Sequence, residues 1–233
     1  MSLTLASSLL TALVSGVFAL TILWRWWQRR RAHQLAWGIG MLMYCTGALS
    51  QVVLTRTWSA TFFALWYWCG ALMVAPWLGQ GTVYLLVRRG NIARNLQMAL
   101  LLVAVMTLPW SLWLTPFESG AWQPDTDLTL IFRDIMPQGR GTVRFFSPVM
   151  NTWGTIALVG GAIWSARLFR RKQIMRDRVY GNWLIATGGL LPALGGTLIR
   201  LGDPSWKYMA DLAGVVLIFA GFLLATRPAP QEP

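Results

Sequence analysis

The sequence predicts an all-α, polytopic membrane protein with seven transmembrane helices in a single domain over residues 1–233. Seven stretches of the chain are apolar and nearly free of charge, and each approaches the roughly 20 residues that a helical crossing takes. Hydrophobic residues make up 55% of the chain and charged residues only 12%, whereas a soluble domain carries about 25% charged residues. The basic residues fall mostly in every second gap between the stretches, which is typical of a multi-pass membrane protein.

The predicted spans follow one another with one long interruption after the fourth. The seventh is the shortest, because its charge-free part begins only at Leu212 and Asp211 lies at its mouth. A stretch this short is marginal for crossing a bilayer unaided, so we expect neighbouring helices to shelter its outer end. The seven spans cover residues 3–24, 35–54, 61–87, 96–114, 146–166, 182–199 and 208–226.

Basic residues in the gaps predict the orientation. Fourteen of the 20 lysines and arginines lie after spans one, three and five or in the tail, and such an excess marks the cytoplasmic side. The bias predicts N-out/C-in topology in a cell inner (plasma) membrane. Most tryptophans lie near span ends, where an indole prefers the headgroup region. The fourteen residues are Arg25, Arg29, Arg30, Arg31, Arg88, Arg89, Arg94, Arg167, Arg170, Arg171, Lys172, Arg176, Arg178 and Arg227.

The polar stretch of about 115–147 is the one sizeable loop, and the topology places it outside. Residues 127–136 are expected to form a short interfacial helix, with Leu128, Leu130, Ile131 and Ile135 on its apolar side. Loops of this length are often functional. Two interpretations stay open: the loop caps a pocket on the outer face, or it is a passive connector.

The order of spans also allows an internal duplication. Spans one to three and five to seven cross the membrane in the same directions. An offset of 144 residues places Arg56 over Arg200 and Gly70 over Gly214. These coincidences favour a 3+1+3 arrangement, in which the fourth helix links two triplets related by an axis along the membrane normal.

The chain lacks the residues that several cofactors and partners would need. The chain has one histidine, His33, in a basic loop, so neither a bis-histidine haem nor a histidine-ligated zinc is expected. A retinal Schiff base needs a lysine inside the bundle, and Lys207 lies only at its edge. The net charge of +12 lies beside apolar spans, which indicates lipid headgroups rather than nucleic acid as its partner. We therefore expect no metal, cofactor or catalytic residue.

Polar residues inside the spans are the candidates for ligand binding. Helix-to-helix hydrogen bonding accounts for many such residues, but a subset is expected to line a cavity. Arg200 and Asp211 flank the turn between the last two spans, either as an ion pair closing that turn or as ligand contacts. The candidate ligand-binding residues are Gln51, Gln80, Tyr84, Asn151, Arg200 and Asp211.

The third span combines a small-residue face with a proline. Ala71, Ala75 and Gly79 recur at four-residue intervals, so another backbone can approach them closely. Pro76 is expected to kink this helix, and Pro192 to kink the sixth span. The two interrupted helices are either hinges around a central site or static kinks in a tightly packed bundle.

Two apolar stretches carry a resemblance to known proteins. They are ALWYWCGALMVAPWLGQGTVYLL, residues 64–86, and VRFFSPVMNTWGTIALVGGA, residues 143–162. Together with the glycine-rich sixth span, this pattern resembles seven-helix integral membrane proteins of bacteria that have no assigned activity. The resemblance implies the fold and covers most of the chain, but it implies no activity.

Three functions remain in competition. The leading hypothesis is a non-enzymatic protein that binds or transports a small neutral or amphipathic molecule through the bundle. The second is an accessory or structural subunit of a larger membrane complex, associated with pigments or quinones, that offers other subunits its exposed tryptophans and the small-residue face. The third is a lipid-modifying enzyme at the outer face, acting through Asp125, Asp127 or Asp134.

Overall fold

Every regular element in the described part of the chain is helical. The computed structural model describes residues 3–87, 90–136, 142–171, 176–198 and 205–227. Seven helices are long and one is short, and each predicted span coincides with a long helix. In chain order they are α1 (Leu3–Arg29), α2 (Ala32–Leu54), α3 (Ala60–Leu86), α4 (Ile92–Leu114), α5 (Leu128–Ile135), α6 (146–171), α7 (Arg176–Leu198) and α8 (Ser205–Ala225).

Five of these helices are long and apolar enough to cross a membrane: α1, α2, α3, α4 and α8. This set indicates a multi-pass membrane protein. It includes the predicted seventh span, because α8 begins earlier than the charge-free stretch does and takes in Lys207 and Asp211. The predicted fifth and sixth spans, α6 and α7, fall outside the set, since asparagine, proline and glycine lower their hydropathy.

The long helices extend beyond the apolar stretches at their arginine-rich ends. α1 continues from Trp24 to Arg29, and α6 continues from Ala166 to Arg171. Arginine is a good helix former, so the helix need not end where the hydrocarbon does. The sequence therefore marks where the apolar part ends, and the helix itself ends about a turn later.

α3 and α6 each contain a π-helical stretch in their middle. In α3 it covers Trp66–Met73 and lies just before Pro76. Because Pro76 has no N–H, the carbonyl of Leu72 loses its helical donor, and the turns that precede Pro76 have the wider π-helical form. In α6 the π-helical stretch is Ile156–Gly160. Such stretches leave backbone groups free for partners on other helices.

Six of the long helices pack in a closed ring. Neighbours follow the order α1, α2, α3, α6, α7 and α8, and α8 packs back on α1. α4 lies outside this ring against α3, and only 22% of its most apolar stretch is buried, compared with 67% for α3. Glycine contacts bring backbones together within the ring, among them Gly47 with Gly70 and Gly79 with Gly154.

One end of the ring is filled with apolar side chains. Phe18, Trp37, Met41, Ile218 and Phe222 belong to one buried cluster there, and each is at most 7% exposed. The guanidinium carbon of Arg25 at this end lies 5.0 Å from the centre of the Phe222 ring, and the guanidinium donates to the Thr226 hydroxyl over 2.7 Å. This half of the bundle, the arginine-rich end, is closed.

The other end is covered by the capping segment, residues 115–136. The indole N–H of Trp122 in this segment donates to the carbonyl of Leu54 over 2.9 Å, and the Asp125 amide donates to the carbonyl of Thr55 over 2.8 Å. The expected short helix is present as α5, and Asp127 caps it by accepting from the Thr129 amide over 2.8 Å. These bonds fasten the segment to the end of α2.

Candidate functional site

A cavity of about 730 Å³ lies inside the ring beneath the capping segment. All six ring helices and α5 contribute to its wall, and α4 does not. It begins where α1, α3, α6 and α8 start and where α2 and α7 finish. The arginine-rich end lies below it. The ring therefore encloses the cavity, and the capping segment contributes Thr129, Leu130, Phe132 and Arg133 to its wall.

The deep part of the cavity is apolar. Val74 and Leu78 of α3, Leu158 of α6 and Ile218 of α8 form its floor. Above them Gly70 faces open space, with no atom within 4 Å of the point where a β-carbon would lie. From Gly70 to Leu78 the helix descends about 12 Å, so the apolar part is deep enough to hold a hydrocarbon chain.

A group of buried polar side chains lies in the wall formed by α1 and α2. Ser8 is 3% exposed, Thr11 is 4% exposed and Gln51 is 3% exposed, and all three line the cavity. The hydroxyl oxygens of Ser8 and Thr11 and the Oε1 of Gln51 have no hydrogen-bond partner within the described residues. Native proteins pair the large majority of such groups, so this wall has hydrogen-bonding capacity in reserve. We call these three residues the polar wall.

A second set of polar groups lies around the start of α8. Lys207 forms an ion pair with Asp211 over 2.5 Å, and the Tyr44 hydroxyl donates to the Asp211 carbonyl over 2.9 Å. The Tyr208 hydroxyl donates to Asp127 over 2.8 Å, which joins α8 to the capping segment. In this set Lys207 neutralises Asp211, and Asp127 accepts hydrogen bonds from neutral donors.

Aromatic side chains line the side of the cavity nearest α5. The ring of Phe132 lies 6.4 Å from those of Trp66 and Tyr67. The guanidinium carbon of Arg133 lies 5.7 Å from the centre of the Phe132 ring, and that of Arg144 lies 5.4 Å from it. Arg133 is exposed at the mouth of the cavity. The mouth is thus apolar and aromatic inside and basic toward solvent.

The structure places three of the six candidate ligand residues in the cavity wall: Gln51, Asn151 and Asp211. Asn151 is held by its own bonds, since its Nδ2 donates to the carbonyl of Ala71 over 2.6 Å and to that of Ser147 over 2.9 Å. Ala71 lies in the π-helical stretch of α3, so the carbonyl that this stretch frees finds its donor on α6. Asn151 therefore joins two helices of the wall.

The other three candidates lie elsewhere. Gln80 is fully buried between α3 and α4, where its Nε2 donates to the carbonyl of Ala93 over 2.6 Å, and it does not line the cavity. Tyr84 packs against a second buried apolar cluster, which contains Trp77 and Leu100, and it is also absent from the cavity wall. Arg200 lies outside the described residues, and the partner that the structure gives Asp211 is Lys207 instead.

Sequence reasoning missed Ser8, Thr11 and Tyr208 as wall residues. A signal was present on α1, where Ser8, Thr11 and Ser15 recur at helical spacing and are all buried. Such a stripe indicates a polar face turned inward. Hydroxyls in apolar helices often bond to their own backbone, and for that reason the stripe carries less weight in a sequence than it does in the structure.

The small-residue face of α3 packs within the chain. The β-carbon position of Gly79 lies 2.7 Å from the carbonyl oxygen of Gly154 and 3.0 Å from the β-carbon of Ala157, both on α6. Ala71 and Ala75 line the cavity, so the whole face turns toward the inside of the ring. The three acids of the enzyme hypothesis have different surroundings. Asp125 pairs with Arg56 over 3.3 Å, Asp127 caps α5, and Asp134 is exposed.

Comparison of the chain with protein-family models, with curated proteins and with solved structures finds no match.

Proposed function

We propose that this protein binds a small neutral or amphipathic molecule in the cavity of a seven-span bundle and catalyses no reaction on it. α6 and α7 cross the membrane with the other five helices, because they complete the ring around the cavity. The N-terminus lies outside and the C-terminus in the cytoplasm of the inner membrane. The capping segment then covers the cavity on the outer side, and the lipid bilayer surrounds the ring.

The observation that carries this proposal is a ligand-sized cavity with unpartnered polar groups in its wall. Its volume of about 730 Å³ falls in the range of about 300–1,000 Å³ that small-molecule sites occupy. Its lining is mostly apolar, with a few polar groups, which is the usual composition of such a site. An amphipathic molecule matches this division, since its chain would lie on the floor and its polar end beside the polar wall.

Binding has more support than transport. The apolar cluster around Phe18 and Trp37 closes the arginine-rich end, so a molecule in the cavity has no path through the described part of the bundle. Transport would need these side chains to separate. Pro76 and Pro192, which line or flank the cavity in α3 and α7, are the places where the two helices could bend.

The ring also favours the proposed duplication. Within the first triplet α1 packs on α2 and α2 on α3, and within the second α6 packs on α7 and α7 on α8. The contacts between triplets are also equivalent, because in each the third helix of one triplet packs on the first helix of the other: α3 on α6, and α8 on α1. α4 stands outside both triplets, as a linker helix in a 3+1+3 arrangement would.

Filling the cavity should abolish binding without unfolding the protein. Gly70→Leu places a side chain in open space inside the cavity, and we expect amphiphile binding to fall at least about tenfold. Gly160→Leu is the matched control, because Gly160 also has no atom near its β-carbon position and does not line the cavity. Native mass spectrometry of both variants with monolaurin, methyl laurate and laurate measures the occupancy. Equal occupancy in the two variants would contradict the proposal.

The position of α4 favours a second candidate, an accessory subunit of a membrane complex. Met98, Leu102, Val105 and Met106 on this helix are each at least 58% exposed, and the helix packs on the ring through α3 and through the contact of Trp110 with Phe146 of α6. Purification in a mild detergent separates the two candidates. A stoichiometric membrane partner, lost when Leu102 and Val105 are changed to serine, would support the subunit function, and a monodisperse single chain would weaken it.

A further inference from the structure

We infer that the cavity selects amphiphiles whose polar end is uncharged and carries both a hydrogen-bond donor and an acceptor, as in a monoacylglycerol or a long-chain alcohol. The inference rests on the proposed function and names the chemical class of its ligand. It is carried by the polar wall, Ser8, Thr11 and Gln51, and by the charges around it.

Two of the buried hydroxyls of α1 have no hydrogen-bond partner in the part of the chain that the structure describes, unlike their neighbours on the same helix. Ser7 donates to the carbonyl of Leu3 over 2.8 Å, and Ser15 donates to that of Thr11 over 2.6 Å. Ser8 and Thr11 lie on the same helix and are as deeply buried, yet their oxygens have no partner. Both residues line the cavity, and a hydroxyl can turn by one staggered step about χ1. There they can donate to an acceptor on the ligand.

Gln51 adds the opposite requirement. Its Oε1 is a buried acceptor without a partner, and only a donor can satisfy it. An ester or a quinone carries acceptors alone and would leave this oxygen unpaired, which costs about as much as a lost hydrogen bond. A hydroxyl or an amide N–H on the ligand removes that cost. The polar wall therefore distinguishes an alcohol from the corresponding ester.

The charges of the cavity disfavour an ionised ligand. Lys207 and Asp211 neutralise each other, and Asp127 accepts from Tyr208 and Thr129. Arg133 is exposed at the mouth and does not belong to the polar wall. A carboxylate beside the three neutral side chains would lose its hydration without gaining a countercharge, and such burial is costly.

Binding of three lauroyl compounds to the whole protein in lipid nanodiscs tests this selectivity. Monolaurin carries a donor and acceptors, methyl laurate acceptors alone, and laurate a charge. We expect monolaurin to bind about tenfold more tightly than either of the others, a ratio that one buried unpaired group can produce. Gln51→Leu should weaken monolaurin about tenfold and leave methyl laurate unchanged.

Gln34→Leu is the matched control, because Gln34 is also a buried glutamine of α2 with an unpartnered Oε1 but does not line the cavity. If Gln51→Leu does not fold, Gln51→Met replaces it with the same expected selectivity, because methionine also lacks the Oε1 acceptor. Equal affinity for the three compounds, or unchanged selectivity in the folded variants, would overturn the inference while leaving binding in the cavity intact. Failure of all three compounds to bind the unaltered protein would instead overturn the proposed function.

Discussion

Gly154→Ala should destabilise the protein more than any other single methyl group added to the ring. A β-carbon at this position would lie 2.5 Å from the carbonyl oxygen of Ala75 and 2.5 Å from the nitrogen of Pro76. Both atoms belong to the backbone of α3, so no rotamer change can remove the overlap, and α3 and α6 must move apart. We expect a loss of about 3 kcal/mol in the free energy of unfolding, at the upper end of overpacking costs.

The control for this prediction is Gly160→Ala on the same helix. No atom lies within 4 Å of the added methyl group there, and alanine is the better helix former by up to about 1 kcal/mol. Unfolding of both variants in mixed micelles, followed by circular dichroism, gives the comparison. Equal stability of the two would mean that α3 and α6 do not approach each other at Gly154, and the ring would then be open between them.

Gly188→Ala should cost about 2 kcal/mol through the contact between α7 and α8. The added methyl group would lie 2.6 Å from the carbonyl oxygen of Gly214. One heptad away on each helix, the β-carbon position of Gly181 likewise lies 2.6 Å from the carbonyl oxygen of Gly221. This repeat indicates two backbones in contact along two turns, since small residues at heptad spacing stay on one face.

The neighbouring Gly189→Ala is the control for the second prediction. Its methyl group would approach the Cδ2 of Leu158 at 3.0 Å, which is the end of a side chain that borders the cavity and can turn into it. We expect a cost below about 1 kcal/mol for this variant. The same micelle titration measures both. A larger loss for Gly189→Ala than for Gly188→Ala would place the cavity face of α7 against α8 and would contradict the ring order.

Much of the fold could be predicted, because the pattern of apolar and charged residues along the chain reflects which segments lie in lipid and which lie in water. All seven long helices and α5 coincide with predicted segments. The number of spans is less certain from composition, since five helices satisfy length and hydropathy and α6 and α7 do not. Their glycines and their asparagines lower hydropathy for a structural reason. The glycines bring α7 against α8, and Asn151 supplies a donor to the π-helical stretch of α3.

The candidate site could be predicted only in part, because a polar residue in a span faces either a cavity or a neighbouring backbone. Gln51 and Gln80 look alike in the sequence. Neither Oε1 has a partner within the described residues, but Gln51 lines the cavity, whereas Gln80 lies away from it and donates through its Nε2 to the carbonyl of Ala93. The difference depends on which helices surround each residue, and only the ring order determines that. The same holds for Ser8 beside Ser7 on α1.

The capping segment gives the clearest gain over the sequence, which leaves a cap and a passive connector equally open. Trp122, Asp125 and Asp127 fasten it to α2 and α8. Thr129, Phe132 and Arg133 stand in the cavity wall. These contacts support the cap, since a connector without a role in the site would not need to line it.

Labelling of a cysteine inside the cavity tests the central claim most directly. Ala193 is exposed within the cavity wall, and Ala193→Cys is placed in a chain with Cys45→Ser and Cys69→Ala. Ser119→Cys, on the exposed surface of the capping segment, is the matched control. A membrane-impermeant maleimide added outside intact cells should label both cysteines, and monolaurin should protect Cys at 193 alone. Labelling at 193 only from the cytoplasmic side, or labelling there that monolaurin leaves unchanged, would contradict a ligand cavity that opens outward.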